Sequence, residues 1–324
     1  MIKKLLLIFC LGLVSCSHTP EQLRVTGPVF GTTYSIIYDS SQNFETAFDS
    51  LFFEINRSMS TYIPTSDISK VNLNETVVID HHFEAVFKTS KEIYTKTQGK
   101  FDPTIGAVVN AWDFGPEGKI EALDSLKINE LMQSVGMDKV TLSNGVISKP
   151  KASRLDFNAI AKGYGVDVIG RYLESKNIQN YVIEIGGEIR AKGINSVKNI
   201  PWKVGVQHPD LSGDQPYINT LTLQDESMAT SGTYRKFKRD VEGNRYTHII
   251  DTKTGYPIRS GILSVSVIFR NCMVADAYAT ALQSMRLEDI RTFLKRHPGL
   301  KVFIVFVNEN DVLETEGFNG FQLY

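Results

Sequence analysis

The 324-residue chain is poor in cysteine: it has only Cys10, Cys16 and Cys272, and two of them fall within its first sixteen residues. It also lacks an excess of charge, with 35 Lys and Arg against 36 Asp and Glu. A near-neutral chain has no basic field to hold phosphate backbones, so no nucleic-acid partner is expected. The apolar run Leu5–Val14 is too short to cross a bilayer as a permanent helix. The chain contains no internal repeat, low-complexity tract or convincing interior linker. Length and 42% apolar content are enough for an ordinary core, and one compact domain is favoured over a second lobe around residues 60–150.

What is present begins with a targeting signal. Lys3 and Lys4 precede the apolar run, which ends in Leu13-Val14-Ser15-Cys16. This resembles the bacterial lipobox, in which the cysteine is lipidated on sulfur and becomes the new N-terminus; the alternative is an ordinary secretory signal with an incidental cysteine. Residues 1–15 are therefore expected to be a signal peptide, 16–22 a lipidated N-terminus and tether, and 23–324 the working domain. The anchor would hold the protein to a bacterial membrane, facing the periplasm or the cell exterior. Ser17, not Asp, follows the cysteine, so the usual bacterial rule for retention at the inner membrane is not met. With Cys10 removed and Cys16 lipidated, Cys272 has no internal disulfide partner.

Along the domain, Val25–Tyr38 reads as a strand pair broken at Gly31. Phe44, Phe48, Leu51, Phe52, Ile55 and Met59 recur at helical spacing. Further helices are expected over Phe83–Thr97, Asp124–Val135, Asn158–Ser175, Cys272–Ser284 and Glu288–Lys295. Leu142–Ile147 reads as a hairpin around Asn144-Gly145. Tyr181–Ile185, Trp202–Gln207, Tyr217–Leu223, Tyr246–Ile250, Ile262–Phe269 and Val302–Val307 read as strands. Helices among many strands predict an α+β or mixed α/β domain, with mixed and antiparallel sheets flanked by helices.

Inside the small-residue run Cys272–Ser284, Asp276 and Thr280 are i and i+4, one turn apart on one helical face. A carboxylate and a hydroxyl pointing the same way suit a hard cation that carries a phosphate-bearing ligand. Three further segments carry unusual chemistry: Gly99-Lys100-Phe101-Asp102-Pro103-Thr104, Leu155-Asp156-Phe157-Asn158-Ala159-Ile160-Ala161-Lys162-Gly163-Tyr164-Gly165, and Ala229-Thr230-Ser231-Gly232-Thr233 with the later Thr247-His248-Ile249-Ile250-Asp251. Phe30-Gly31-Thr32-Thr33-Tyr34 and Ser60-Thr61-Tyr62 accompany them.

In order and spacing these blocks resemble the ApbE family, the FAD:protein FMN transferases, from about residue 25 to 285. The resemblance implies a T-fold-related domain that takes FAD as substrate and, with Mg²⁺, passes FMN to an acceptor threonine as a phosphoester and releases AMP. It implies metal ligation by Asp276, Thr280 and the backbone carbonyl of Ala159. It implies nucleotide contacts from Phe30, Tyr62, Lys100, Phe101, Asp102, Asp156, Lys162 and Met228. Acceptors would be subunits of sodium-pumping or Rnf-type electron-transfer complexes.

Several roles stay open on the residues. His248 or Asp276 would take the acceptor proton, an imidazole being suited to this near neutral pH. Asp156 either touches the nucleotide or caps the following helix. Lys162 either faces the phosphates or sits solvated. Gly163 and Gly165 permit close backbone approach, Ser231, Thr233 and Arg235 form a polar rim, and Asp251 doubles as a turn former. Ala279 stands where some members carry a further carboxylate. Hydrolysis of FAD to FMN and AMP, or flavin binding without turnover, are the rival readings.

Overall fold

The domain starts by folding back on itself at Phe30-Gly31. Both residues have positive φ, 48° and 73°, the pair of conformations that a two-residue hairpin turn needs. They join β1 (Gln22–Val29) to β2 (Thr32–Asp39). The computed structural model describes residues 21–209, 217–234, 237–239 and 245–323. The signal, Cys16 and Arg235 lie outside the described residues, and β1 begins within the last residues expected to be tether.

In α1 (Glu45–Met59), Phe48, Phe52, Ile55 and Met59 form the buried face that their spacing predicts. Next come α2 (Asp67–Asn72) and α3 (His81–Lys96), the latter capped by Asp80, whose carboxylate accepts from the Phe83 N–H. Then follow α4 (Gly106–Ala111), α5 (Ser125–Met132) and the hairpin β3 (Thr141–Ser143) and β4 (Val146–Ser148). The next helix, α6 (Ala161–Ser175), starts three residues later than its sequence pattern suggests. Strands β5 (Tyr181–Ile185), β6 (Glu188–Lys192), β7 (Ile194–Asn195), β8 (Ile200–Gln207), β9 (Tyr217–Leu223) and β10 (Glu226–Gly232) succeed it. The chain closes with β11 (Phe237–Arg239), β12 (Arg245–Thr247), β13 (Ile262–Phe269), α7 (Cys272–Gln283), α8 (Leu287–Arg296), β14 (Lys301–Val307) and β15 (Leu313–Phe318).

Eight strands make the central sheet in the order β1-β2-β5-β6-β10-β13-β14-β15. Its pairings are antiparallel. The parallel contact is the bridge Ile105–Arg154, so the sheets are antiparallel rather than mixed. Strand alternation sends residues to two different cores. From β14, Val302, Ile304 and Phe306 join the cluster under α3, α7 and α8, while Phe303 and Val305 join a second cluster with Trp202, Val204 and Leu221 of β8 and β9. Strand β14 is thus covered on both faces. A third cluster seats α1 and α6 on the β1-β2-β5 end through Tyr38, Phe48, Ile169 and Ile183. Helices α6 and α7 therefore lie side by side on one face, with β6 and β10 beneath them.

Candidate active site

A cleft of about 1390 Å³ opens over α6, α7 and the ends of β6 and β10. It exceeds the roughly 300–1,000 Å³ of common small-molecule pockets, which leaves room for a dinucleotide. Phe30, Tyr62, Lys100, Phe101, Asp102, Asp156, Ala159, Lys162, Met228, His248, Asp276 and Thr280 all line it. Residues more than two hundred positions apart in the chain thus meet in one place.

The closest approach is between α6 and α7. A Cβ on Gly163 would lie 2.5 Å from the Cys272 carbonyl oxygen and 2.8 Å from Asp276 Cβ, so only glycine allows this contact. The same residue donates its N–H to Asp276 Oδ2 at 3.0 Å. Gly165 plays a similar part toward Phe30, whose ring edge would sit 2.7 Å from an added Cβ. Helix α7 has no side-chain cap of its own. Asp167 of α6 supplies it, Oδ1 accepting from Cys272 N–H at 3.1 Å and Oδ2 from Met273 N–H at 2.9 Å. Arg190 holds that carboxylate in turn at 2.9 Å. The helix bearing Asp276 and Thr280 is therefore clamped onto the helix bearing Lys162.

Lys162 is half-buried and lines the cleft. Its ammonium sits 2.5 Å from Glu188 Oε1, and Glu188 at the start of β6 is 2% exposed. Burial opposes the ammonium, but Glu188 and Asp276 outweigh it and push its pKa up to about 12. Burial raises the Asp276 carboxyl above the usual range, against the pull of Lys162. Burial likewise carries Glu188 to about 7, with Lys162 opposing and Asp276 reinforcing the shift. Glu188 escaped the sequence reading; the only signal was its place directly after Gly186-Gly187 at the end of a buried strand.

The remaining residues frame this cluster. Asp102 Oδ1 accepts from the Thr104 N–H and hydroxyl, fixing the loop that carries buried Phe101. Burial lifts the Asp102 carboxyl to about 6 despite these bonds. Lys100 pairs with Asp251 at 3.1 Å, and Asp251 also accepts from the N–H groups of Lys253 and Thr254, as a turn former does. Asp156 accepts from Asn158 N–H at 2.7 Å, an Asx turn ahead of α6 rather than the helix cap. His248 follows β12 instead of sitting within it, because the strand ends at Thr247. Its ring lies 6.2 Å from that of Phe114. Tyr62 is 57% exposed at the cleft mouth and Met228 is buried in β10. Ser231 lines the cleft; Thr233 lies off it and its N–H bonds to Leu263 O.

These donors fit a hard divalent cation. Asp276 and Glu188 are both buried carboxylates, Lys162 pairs with Glu188 and acts on Asp276 through its charge, and Glu188 Oε2 has no hydrogen-bond partner. Such a cluster is short of positive charge. No group of three His, Cys, Asp or Glu converges among the described residues. Asp276, Thr280 and Ala159, which would offer a carboxylate, a hydroxyl and a backbone carbonyl, all line the cleft. A cation that takes few protein oxygens and keeps waters and phosphate oxygens, as Mg²⁺ does, matches it.

Comparison with known proteins places the chain among its relatives. The model of the ApbE family matches residues 30–304. An FAD:protein FMN transferase of Vibrio cholerae is 36% identical over 285 residues, covering 84% of each chain. One from Haemophilus influenzae is 33% identical over 93% of this chain and 91% of its own. The solved flavin transferase ApbE from Vibrio cholerae superposes with a TM-score of 0.83 at 33% identity, covering 93% of this chain and 98% of that one. The apo Pseudomonas stutzeri flavinyl transferase ApbE gives 0.83 at 26% identity, over 93% and 96%. With its family model spanning most of the domain and the cleft assembled from the expected blocks, this chain belongs to the ApbE family.

Proposed function

We propose that this chain is an FAD:protein FMN transferase that moves FMN from FAD to a threonine of an acceptor protein and releases AMP. The observation that carries the reading is the Lys162–Glu188–Asp276 cluster at the floor of a dinucleotide-sized cleft. In the step, the threonine oxygen bonds to the flavin-side phosphorus, the bond to the bridging oxygen breaks, and AMP leaves with that oxygen. The threonine proton passes to His248, since Asp276 is committed to Gly163 and to the cation. Lys162, fixed by Glu188, faces the pyrophosphate with a permanent positive charge. Mg²⁺ held by Asp276, Thr280 and the Ala159 carbonyl would neutralise charge on the pyrophosphate oxygens. Tyr62 and Phe30 provide ring faces for the planar ends of FAD.

The acceptors we propose are subunits of sodium-pumping or Rnf-type electron-transfer complexes, met at a bacterial membrane by an enzyme anchored through Cys16. No helix among the described residues is long and apolar enough to cross a membrane. The test is gel fluorescence of an acceptor domain after incubation with FAD. Asp276→Ala, or chelation of divalent cations, is expected to lower protein-bound flavin on the order of 100-fold or more. Full labelling by Asp276→Ala would remove the metal assignment.

A further inference from the structure

A second cavity, about 980 Å³, adjoins the cleft and shares Lys100 and Ser284 with it. It lies between the 254–262 segment, the end of α7, the start of α8 and the end of β14. Nothing in the transfer step above uses it.

Two structural paths lead from this cavity to the reacting end of the cleft. Along α7, Asp276, Thr280 and Ser284 are successive i, i+4 positions on one face. At about 1.5 Å of rise per residue, Ser284 lies ~6 Å beyond Thr280. On the second path, aromatic rings touch in series. Tyr256 to Trp112 is 5.9 Å, Trp112 to Tyr246 5.7 Å, Tyr246 to Phe114 5.6 Å, and Phe114 to His248 6.2 Å. The cavity is therefore bounded by the end of α7, which carries Asp276 and Thr280, and by a ring series that ends at His248.

The cavity's chemistry suits a polypeptide. Gln283 is wholly buried and lines it; Nε2 donates to Ile262 O at 2.9 Å, while Oε1 has no hydrogen-bond partner. An extended chain carries one N–H per residue, and would satisfy this oxygen once the Gln283 amide turns toward the cavity. Apolar walls at Ile258 and Met285, with Tyr256 41% exposed, offer a seat for an apolar side chain. The ~6 Å between Thr280 and Ser284 equals about two residues of extended chain. A threonine presented between Thr280 and His248 would therefore place its near neighbours in this cavity.

We propose that the second cavity binds the acceptor polypeptide beside its threonine, in extended form, with an apolar side chain held against Tyr256 and Trp112. This rests on the transferase reading. The test uses the full chain with FAD, Mg²⁺ and, as probe, a soluble acceptor domain from a sodium-pumping electron-transfer complex. Tyr256→Ala is expected to raise the acceptor KM about tenfold or more, with the KM for FAD and the melting temperature unchanged. As a second measurement, p-benzoylphenylalanine incorporated in place of Tyr256 is expected to crosslink the acceptor within a few residues of its flavinylated threonine. An unchanged acceptor KM, crosslinks confined to distant segments, or an equal rise in the KM for FAD would each overturn the proposal. A wild-type chain that releases AMP without labelling the acceptor would instead overturn the transferase reading itself.

Discussion

Alanine at Gly163 probes the contact on which the site is built. Its methyl group would lie 2.5 Å from Cys272 O, 2.7 Å from Cys272 C and 2.8 Å from Asp276 Cβ. Unstrained contacts between carbon atoms are about 3.5–4 Å, so α7 must withdraw from α6 by roughly 1 Å. Overpacking of this kind costs about 1–3 kcal/mol, and weakening the Gly163 N–H bond to a carboxylate costs about 1.5–3 kcal/mol. Higher helix propensity returns about 1 kcal/mol. The net is a destabilisation of about 1.5–5 kcal/mol, or ~2–8 °C in Tm for a domain of this size. A ~1 Å displacement of Asp276 should also lower turnover on the order of 100-fold. Thermal melts and flavin-transfer rates, taken where both proteins are folded, read the two effects separately. Gly299→Ala is the control, since no atom lies within 4 Å of its added Cβ, and it should change stability by less than about 0.5 kcal/mol. A Gly163→Ala protein with the wild-type Tm, or with full turnover despite a lower Tm, would refute the reasoning.

Three other outcomes are expected. Asp167→Asn leaves α7 with a weaker cap and Arg190 with Glu174 as its remaining charged partner; Mn²⁺ binding followed by electron paramagnetic resonance should weaken about tenfold, through loss of about 1–3 kcal/mol of positioning. Unchanged Mn²⁺ affinity alongside a lower Tm would make that residue purely structural. Because burial lifts Asp102 to about 6 from 3.8, its contribution to stability is greatest below pH ~4 and is lost as pH rises through about 6. Asp102→Asn, which still offers Thr104 an acceptor, should remove that loss and gain up to about 3 kcal/mol at pH 8, at about 1.36 kcal/mol per pKa unit; parallel stability–pH curves for the two proteins would contradict this. Cys16→Ala should release an unlipidated, extractable protein, and complete partition into membranes would rule out the lipid anchor.

The most legible part of the sequence was the i, i+4 pair on α7, because a helix long enough to show its period fixes which residues share a face. The same holds for α1, whose buried phenylalanines announce themselves by spacing. Helices α2 and α4, six residues each, are too short to establish a period. Strand β15, Leu-Glu-Thr-Glu-Gly-Phe, is an exposed sheet edge with little apolar alternation. The sequence pattern puts the start of α6 at Asn158, but Asp156 forms an Asx turn with Asn158 and the helix begins at Ala161. Glu188 was invisible for a different reason. Its significance lies in Lys162, which only the sheet and α6 together bring within reach, and no local pattern records such a pairing.

If the cleft cuts FAD in order to load a protein, AMP released and flavin covalently bound to the acceptor must keep step. With FAD, Mg²⁺ and an acceptor domain, both products measured in one reaction, equal amounts are expected throughout the time course. AMP accumulating while the acceptor stays unlabelled would contradict it.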